Sequence, residues 1–351
     1  MKQNLPIVNK DYLVLVRCYT YNHSKYIENA LKGFVVQKTN FPYVCLIVDD
    51  ASTDGAQDVI KSFLNSECEM GNAKFYDVDT AYIIEAQHRT NILCTMVVYL
   101  LKENLYKQPT KKTALITPWR NHCKYEAMCE GDDYWINPLK LQMQVDYMEQ
   151  NPDCSLVYTN INVYNEKLKK MKEDRFKNIV VPKNFQELVV RAGFFAPCTW
   201  LTRITTINEV VKEKSKDGTY TFMLELFANN YKIKFINEIC AVYRVVSESA
   251  SHSDNKRKSY LYGKSVYETK YKYLNKYAQL VEEGCEDQID LIFAKKYGPS
   301  IIYYDKEITN KIRNCSLFPQ LPLMSKLLFY MPRFLSRPII YLKYRMKGKT
   351  L

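Results

Sequence analysis

The chain has 351 residues, of which 47% are hydrophobic and 25% charged. This composition is that of a folded protein with one large domain and an appendage, or with two ordinary domains, and it excludes a disordered or collagen-like chain. Fifty Lys and Arg against 38 Asp and Glu give a formal net charge of +12 at pH 7. That excess favours acidic partners such as nucleic acid, an anionic membrane surface or a phosphorylated substrate.

The eleven cysteines form no CxxC pair and no Cys/His cluster. This spacing argues against a zinc ribbon or a disulfide framework and favours a reducing compartment.

The N-terminus lacks the apolar segment of a secretory signal, and no run approaches the roughly 18–20 apolar residues that span a membrane. We therefore expect a cytoplasmic protein.

The front half of the chain alternates between strand and helix patterns. Tyr12–Val16 is a short apolar run with β-branched residues, and Lys25–Val36 follows with apolar residues at helical spacing. Val44–Val48 predicts a second buried strand, and Ala56–Leu64 predicts a second helix. This alternation predicts parallel βαβ units in an α/β sheet.

A polar turn follows each of these two strands. Tyr19–Asn22 comes after the first strand and Asp49–Gly55 after the second. In parallel α/β sheets, ligands bind beyond the carboxyl ends of the strands. We therefore expect both turns to border a binding site.

The middle of the chain carries further predicted elements. Asn91–Glu103 is predicted as a helix, and Leu139–Glu149 as an amphipathic helix. Predicted strands cover Lys124–Met128, Cys154–Tyr158 and the region Ile233–Tyr243.

The pattern changes near residue 253. From about Lys256 it becomes helical and rich in Tyr and Lys, so we expect one domain at 8–253 and a helical, basic region at 254–351. After Glu307 no acidic residue occurs, while Lys and Arg alternate with bulky apolar side chains. Such a tail suits an anionic lipid surface. The alternative is a terminal helix that packs on its own domain with its charges solvated.

One short acidic motif points to chemistry. Cys129–Trp135 reads Cys-Glu-Gly-Asp-Asp-Tyr-Trp at the end of a predicted strand. Its carboxylates, Glu130, Asp132 and Asp133, repel one another unless a cation is present. Mg²⁺ or Mn²⁺ would neutralise them and leave coordination sites for phosphates. The alternative is an acidic solvated loop that caps a helix; Gly131, which permits a tight turn, favours the metal.

Three motifs in this order resemble those of the family 2 glycosyltransferases, of the bacterial surface-glycan type. They are Tyr19-Thr20-Tyr21-Asn22, Val48-Asp49-Asp50-Ala51-Ser52-Thr53-Asp54-Gly55, and Glu130-Gly131-Asp132-Asp133-Tyr134-Trp135 with Asn137-Pro138 and Lys140-Leu141-Gln142. The resemblance continues at Ala241–Val245 and covers roughly residues 10–253. It implies a GT-A fold, a Rossmann-like α/β domain, here with a C-terminal helical extension. Members transfer a sugar from a nucleotide-diphosphate sugar, usually with inversion.

The resemblance also implies which residues bind the nucleotide. They are Tyr19, Tyr21, Asp49, Asp50, Glu130 and Asp132. Tyr19 and Tyr21 would line the base, and Asp50 would hydrogen-bond its edge. The alternatives are core packing for either tyrosine, and a turn-shaping or helix-capping role for the two aspartates at 49 and 50.

A divalent cation, Mn²⁺ or Mg²⁺, is implied at Asp132, Asp133 and His252. It would bridge the diphosphate and stabilise the charge that builds up as the nucleoside diphosphate leaves. His252 lies in a Ser-rich loop after Tyr243-Arg244, whereas relatives usually carry a histidine directly after Tyr-Arg-Val. The alternative for a lone histidine in such a loop is a surface residue.

The general base departs from the family pattern. An inverting transfer needs a base to deprotonate the acceptor hydroxyl. Relatives carry Gly-Asp ahead of the Tyr-Arg motif, whereas this chain has Asp217-Gly218 and, two helical turns on, Glu225. Asp217 and Glu225 are both candidates. The alternatives are a structural or solvated Glu225, another base, or a weakened enzyme.

Trp200 lies where the family forms the acceptor side of the cleft, and it would stack on a sugar ring or pack in the core.

The sequence therefore favours a metal-assisted glycosyltransferase of cell-surface polysaccharide synthesis, peripheral on the inner face of the membrane, with a glycan or lipid-linked acceptor. The alternative is a weakened nucleotide-sugar-binding or partner-binding protein of the same fold. Nucleic acid is not expected, because the basic residues gather in the tail and no nucleic-acid-binding motif occurs.

Overall fold

The computed structural model describes residues 6–106, 108–177, 179–191, 195–210, 218–246 and 254–346. The strands in these ranges are β1 Tyr12–Thr20, β2 Tyr43–Asp49, β3 Lys74–Val78, β4 Ala81–Gln87, β5 Cys94–Leu101, β6 Cys123–Met128, β7 Tyr134–Trp135, β8 Cys154–Asn165, β9 Lys170–Lys172, β10 Leu201–Arg203 and β11 Lys232–Val245. The α-helices are α1 Ile27–Val35, α2 Ala56–Glu67, α3 Pro109–Arg120, α4 Lys140–Gln150, α5 Phe185–Arg191, α6 Ile204–Val210, α7 Gly218–Ala228, α8 Lys256–Lys276, α9 Cys285–Tyr304, α10 Lys306–Asn314, α11 Leu323–Tyr330 and α12 Arg333–Arg345.

The strands form one mixed sheet. Their order is β3-β4-β5-β2-β1-β6-β10-β8-β11-β7, and β9 pairs with β8. The central strands β5, β2, β1 and β6 run parallel, whereas β10 runs antiparallel to both β6 and β8. The carboxyl ends of the four parallel strands therefore meet at one edge. The predicted α/β class is confirmed.

Both faces of the central sheet are buried. On one face, Leu46 and Tyr99 belong to a core cluster with Trp119 of α3, whose indole N–H donates to the Tyr99 hydroxyl at 2.9 Å. On the other face, Ile47 belongs to a larger cluster that includes Phe34 of α1. Because water reaches neither face, the central strands consist of nearly continuous apolar runs.

The helix predicted for Asn91–Glu103 is wrong, because this segment contains the strand β5. All eight residues of β5 are buried, and the strand pairs with β2 on one side and β4 on the other. A short run that is apolar at every position has no periodicity that separates a strand from a buried helix. The β-branched and aromatic side chains Thr95, Val97, Val98 and Tyr99 favour the extended form.

The other predicted strands and helices named above are confirmed, and so is a helical extension after them. In that extension α8 packs along α9, where the rings of Tyr267 and Phe293 stack with centroids 4.4 Å apart. Lys270 of α8 donates to the carbonyl of Val190 in α5 at 2.7 Å, which ties the extension to the rest of the chain. The boundary at 253/254 stays a prediction. No helix within the described ranges has both the length and the apolar character that crossing a bilayer requires.

Candidate active site

The last two residues of β1 form backbone hydrogen bonds with the segments that follow its neighbours β2 and β6. The carbonyl of Tyr19 accepts from the N–H of Gly131 at 2.9 Å, and that of Thr20 accepts from Asp50 at 2.9 Å. Since β1 lies between β2 and β6, the segments that follow these three strands are held together. The sheet thus brings both polar turns and the acidic motif to one edge.

The two turns are also cross-linked by side chains. Asn22 donates its backbone N–H to the Ser52 hydroxyl and accepts from the N–H of Thr53, both at 2.8 Å. Ser24 donates its backbone N–H to the Asp54 carboxylate at 2.8 Å. Asn22 has a φ of 55°, in the left-handed region that asparagine tolerates better than most residues. The turns therefore form one polar rim.

Asp49 shapes this rim from inside. It is fully buried, and its carboxylate accepts from the backbone N–H of Ser52 at 2.9 Å and from the Ser52 hydroxyl at 2.5 Å. It also accepts from the Gln57 side chain of α2 at 2.8 Å. These contacts correspond to the turn-shaping alternative.

Asp50 lies beside Tyr19 in a cluster of cations. Its carboxylate, in a side chain that is 5% exposed, accepts from the N–H of Leu105 at 2.6 Å and forms an ion pair with Lys112. The Lys112 ammonium lies 5.5 Å from the centre of the Tyr19 ring, and the guanidinium of Arg17 lies 4.8 Å from it. Tyr19 therefore packs between two cations. Tyr21, in contrast, is 45% exposed.

A buried ion network lies beneath the site. Glu126 of β6 accepts from Arg17 of β1 at 2.8 Å and from Arg120 of α3 at 2.6 Å. Burial pushes the pKa of Glu126 upward, but the two guanidinium groups outweigh that effect and hold the pKa below its usual value. Arg17 also reaches to within 3.9 Å of Glu130. The network joins β1 and β6 next to the acidic motif.

The sequence analysis missed this network, although a signal for it was present. Arg17 interrupts an otherwise apolar strand, and Glu126 lies within another predicted strand. A charged residue inside a buried strand needs a partner, because an unpaired buried charge is costly. Which residue is that partner depends on strand pairing.

The acidic loop, residues 129–133 between β6 and β7, lies close against β1. A Cβ atom on Gly131 would lie 2.5 Å from the Thr20 hydroxyl, so only glycine allows this approach to β1. Asp133 is 4% exposed and accepts from the N–H of Arg244 at 2.8 Å. Burial, then the charge of Asp132, raise the pKa of Asp133. Burial also raises the pKa of Glu130, to about 7, against the opposing effect of Arg17.

Arg244 supports the loop from β11. Its guanidinium donates to the backbone carbonyl of Asp132 at 2.9 Å and lies 3.3 Å from the Glu166 carboxylate. It also lies 4.7 Å from the centre of the Tyr26 ring. These contacts fix the backbone of the acidic loop and pair Arg244 with the carboxylate of Glu166.

Glu130, Asp132 and Asp133 line a cavity of about 850 Å³. Trp200 lines it as well, but its side chain is largely in the core, since the residue is 3% exposed. The indole N–H of Trp200 is buried and has no acceptor among the described residues. Side chains of α7, α8 and α9 complete the wall. The cavity therefore lies between the sheet edge and the C-terminal helices.

Asp217 and His252 lie outside the described residues, and Glu225 is not brought to the cavity. The Glu225 carboxylate on α7 accepts from the hydroxyls of Tyr273 and Tyr277, at 2.9 and 2.5 Å, and from Lys276 at 2.6 Å. Burial would raise the pKa of Glu225, but these three side chains, two from the end of α8 and one from the residue after it, outweigh it and lower the pKa. The geometry favours the structural alternative, in which Glu225 fastens α7 to α8.

We predict that Glu225→Gln lowers the free energy of unfolding by about 1–3 kcal/mol at pH 7. Because folding lowers the pKa of Glu225, its contribution is present above the unfolded pKa of about 4.3 and is lost as the pH falls through the folded value. Urea unfolding of both proteins at pH 7 and in stepwise acid measures this. The exposed Glu283 provides the matched control, Glu283→Gln. Equal stabilities at pH 7, or a gap that widens in acid, would contradict the assignment.

Solved structures include loose matches to this fold. Residues 1–349 of S. aureus TarS align with a TM-score of 0.48 at 14% identity, over 86% of this chain and 77% of that one. The mannosyltransferase PcManGT from Pyrobaculum calidifontis, solved with GDP-Man and Mn²⁺, aligns with a TM-score of 0.48 at 13% identity, over 99% of this chain and 86% of that one.

Similar sequences and one family model match parts of the chain. An uncharacterized protein of Mycobacterium bovis is 30% identical over 147 residues, which are 42% of this chain and only 34% of that protein. An uncharacterized glycosyltransferase of Methanocaldococcus jannaschii is 21% identical over 239 residues, 66% of this chain and 71% of that protein. The model of glycosyl transferase family 2 matches residues 18–77, which include both polar turns of the site. Residues 18–77 are thus similar to glycosyl transferase family 2.

Proposed function

We propose that this protein transfers a sugar from a nucleotide-diphosphate sugar to a hydroxyl of a glycan or lipid-linked acceptor, in cell-surface polysaccharide synthesis. The observation that carries the proposal is the meeting of the acidic loop with the two polar turns beside one large cavity. The similarity of residues 18–77 to glycosyl transferase family 2 supports it. A volume of about 850 Å³ also falls in the range of pockets that enclose small-molecule ligands.

Asp132 and Asp133 would hold Mn²⁺ or Mg²⁺, with His252 as a further ligand. Among the described residues, neither aspartate forms an ion pair with a basic side chain, and burial raises the pKa of Asp133. Two adjacent carboxylates without a counter-charge fit a hard cation that prefers oxygen ligands. When bound, the cation supplies Lewis-acid stabilisation of the leaving diphosphate.

The nucleotide would lie on the polar rim. Tyr21 is open for stacking on the base, and Tyr19 lies beside it at the end of β1. Asp50 makes two contacts, whereas a carboxylate has about four lone-pair sites, so acceptor capacity remains for the base edge. Asp49 supports the rim, while Glu130 and Asp132 would face the ribose and the sugar.

The transfer forms a bond between the acceptor oxygen and the anomeric carbon and breaks the bond from that carbon to the diphosphate oxygen. With inversion, a base takes the acceptor proton as the new bond forms. We assign Asp217 to this role. Thr219 and Tyr220, which follow it closely in sequence, line the cavity, whereas the Glu225 carboxylate is occupied by α8.

A donor screen tests the transferase. We expect the purified full chain to release nucleoside diphosphate from one class of UDP-, GDP- or dTDP-sugar with Mn²⁺ or Mg²⁺ and not with EDTA. Asp132→Asn/Asp133→Asn should lower this rate roughly 100-fold or more, since metal stabilisation contributes several kcal/mol. Asp153→Asn, which removes an exposed carboxylate on the surface, should leave it unchanged.

The possible outcomes separate the two functions that the sequence left open. Donor binding without release, even when acceptor extracts are supplied, would indicate a weakened nucleotide-sugar-binding protein. If no donor binds in the presence of metal, the transferase proposal is wrong.

A second pair of variants tests the base. Asp217→Asn should lower kcat by roughly 10²–10⁴-fold at unchanged donor affinity, because only the proton transfer is lost. Glu225→Gln should keep a kcat near that of the original chain under conditions where the variant remains folded. A folded Glu225→Gln protein that has lost kcat would reassign the base to Glu225.

We also propose that α11 and α12 bind an anionic membrane surface. Many of their apolar side chains are exposed, including Leu323, Met324, Leu327, Tyr330, Phe334, Leu335, Ile339, Tyr341 and Leu342. The same two helices carry Lys326, Arg333, Arg337, Lys343 and Arg345 and no acidic residue. Apolar side chains flanked by cations suit the headgroup region of an anionic leaflet.

Co-sedimentation with vesicles tests this surface. The full chain should bind vesicles of phosphatidylcholine with phosphatidylglycerol and bind pure phosphatidylcholine weakly. Phe334→Ser should weaken binding roughly tenfold, since burying such a side chain contributes about 1.5–3 kcal/mol. Ile92→Ser is the matched control, because Ile92 and Phe334 are both 74% exposed. Equal binding to both lipids, or equal loss in both variants, would exclude the tail as the contact.

A further inference from the structure

The cavity has a basic wall as well as an acidic loop. Five basic residues from separate elements line it, namely Lys172 of β9, Arg175, Arg191 of α5, Lys270 of α8 and Lys296 of α9. Four of them, all except Arg175, have no carboxylate within ion-pair distance among the described residues. These cations converge on the cavity from four elements, with Lys270 buried and Lys172, Arg191 and Lys296 exposed. We call this group the basic wall.

Lys270 shows that the wall is more than a set of surface lysines. It is 6% exposed, and within the described residues its ammonium makes one hydrogen bond, to the carbonyl of Val190 at 2.7 Å. An ammonium has three donors. Burial, and then the positive charge of Lys296, lower the pKa of Lys270 to about 7. Both effects disfavour the charged form of the Lys270 side chain, and a bound anion would stabilise that form.

The acidic loop does not compensate these charges. Among the described residues, Arg17 is the basic side chain within ion-pair distance of Glu130, at 3.9 Å, and it does not belong to the basic wall. The charged neighbour that lowers the pKa of Lys270 is Lys296, itself a cation of the wall. Within the described residues, the acidic loop therefore forms no ion pair with Lys172, Arg191, Lys270 or Lys296, and the cavity has two regions of opposite charge.

We propose that the basic wall binds a negatively charged group of the acceptor, a phosphate or a carboxylate carried by the glycan. This assignment rests on the proposed transferase function for the role of the ligand as acceptor. Under that function, a cation held by Asp132 and Asp133 would serve the donor diphosphate, which leaves the second region for another anion. Tyr267, Phe293 and Tyr297 also line the cavity and give it an aromatic part next to these cations.

Direct binding in EDTA tests the basic wall apart from the metal and the donor. The probes are a fluorescently labelled oligosaccharide with phosphate monoesters, the same oligosaccharide after phosphatase treatment, and labelled oligogalacturonate. We expect the full chain to bind the phosphorylated or the carboxylated oligomer and not the neutral one. The better of the two anionic probes identifies the group.

The variant Arg191→Gln/Lys296→Gln should weaken that binding roughly tenfold, because charge-assisted hydrogen bonds are lost. Lys295→Gln removes an exposed charge of the same helix that does not line the cavity, and it should bind as the original chain does. Lys270 is kept intact, because its bond to Val190 also joins α8 to α5.

Three results would overturn the proposal: equal binding of the neutral oligosaccharide, equal weakening in Lys295→Gln, or a matching loss of UDP or GDP affinity with Mn²⁺ in the double variant. The last would assign the basic wall to the donor. Asp132→Asn/Asp133→Asn should retain anion binding in EDTA. Failure of donor turnover and failure of anion binding are therefore observed in separate measurements.

Discussion

The structure of the site depends on the position of β1 between two parallel neighbours. Parallel pairing with β2 and β6 fixes three strand ends at the same edge, and hydrogen bonds to Gly131 and Asp50 extend the register beyond the strands. The polar turns and the acidic loop must then be adjacent, whatever their separation in sequence. Gly131 makes that approach possible, since any side chain there would overlap Thr20. Strand pairing therefore comes first and the chemistry of the edge follows from it.

Buried charged groups near this edge are of two kinds, those with oppositely charged partners and those beside a like charge. Glu126 is buried with two guanidinium partners, which lower its pKa and make it part of the scaffold. Asp133 is buried beside another carboxylate, and its pKa is raised. Lys270 is buried beside Lys296, and its pKa is lowered. Desolvation penalises all three side chains, but among the described parts of the chain only Glu126 of the three has an oppositely charged partner. The two uncompensated groups line the cavity, where a ligand would supply the missing charge.

The C-terminal helices are part of this arrangement. α8 and α9 form one wall of the cavity, and Glu225 joins α7 to α8 through two tyrosines and a lysine. Arg333 and Arg337 of α12 donate to carbonyl groups of Ile302 and Tyr303 near the end of α9. The helix with the exposed apolar residues is thus fastened to the helix that lines the cavity, and a membrane bound by α12 would lie at a fixed distance from the site.

The sequence by itself determined the alternation of strands and helices, the two polar turns, the acidic motif and the basic apolar tail, because each is a local pattern of side chains. It gave the wrong structure for Asn91–Glu103, because an apolar run has no periodicity when both faces of a strand are buried. The partner of Glu126, the structural role of Glu225 and the basic wall were decided by the tertiary structure alone. Residues 172, 191, 270 and 296 have no common spacing, and only the packing of β9, α5, α8 and α9 around one cavity brings their charges together.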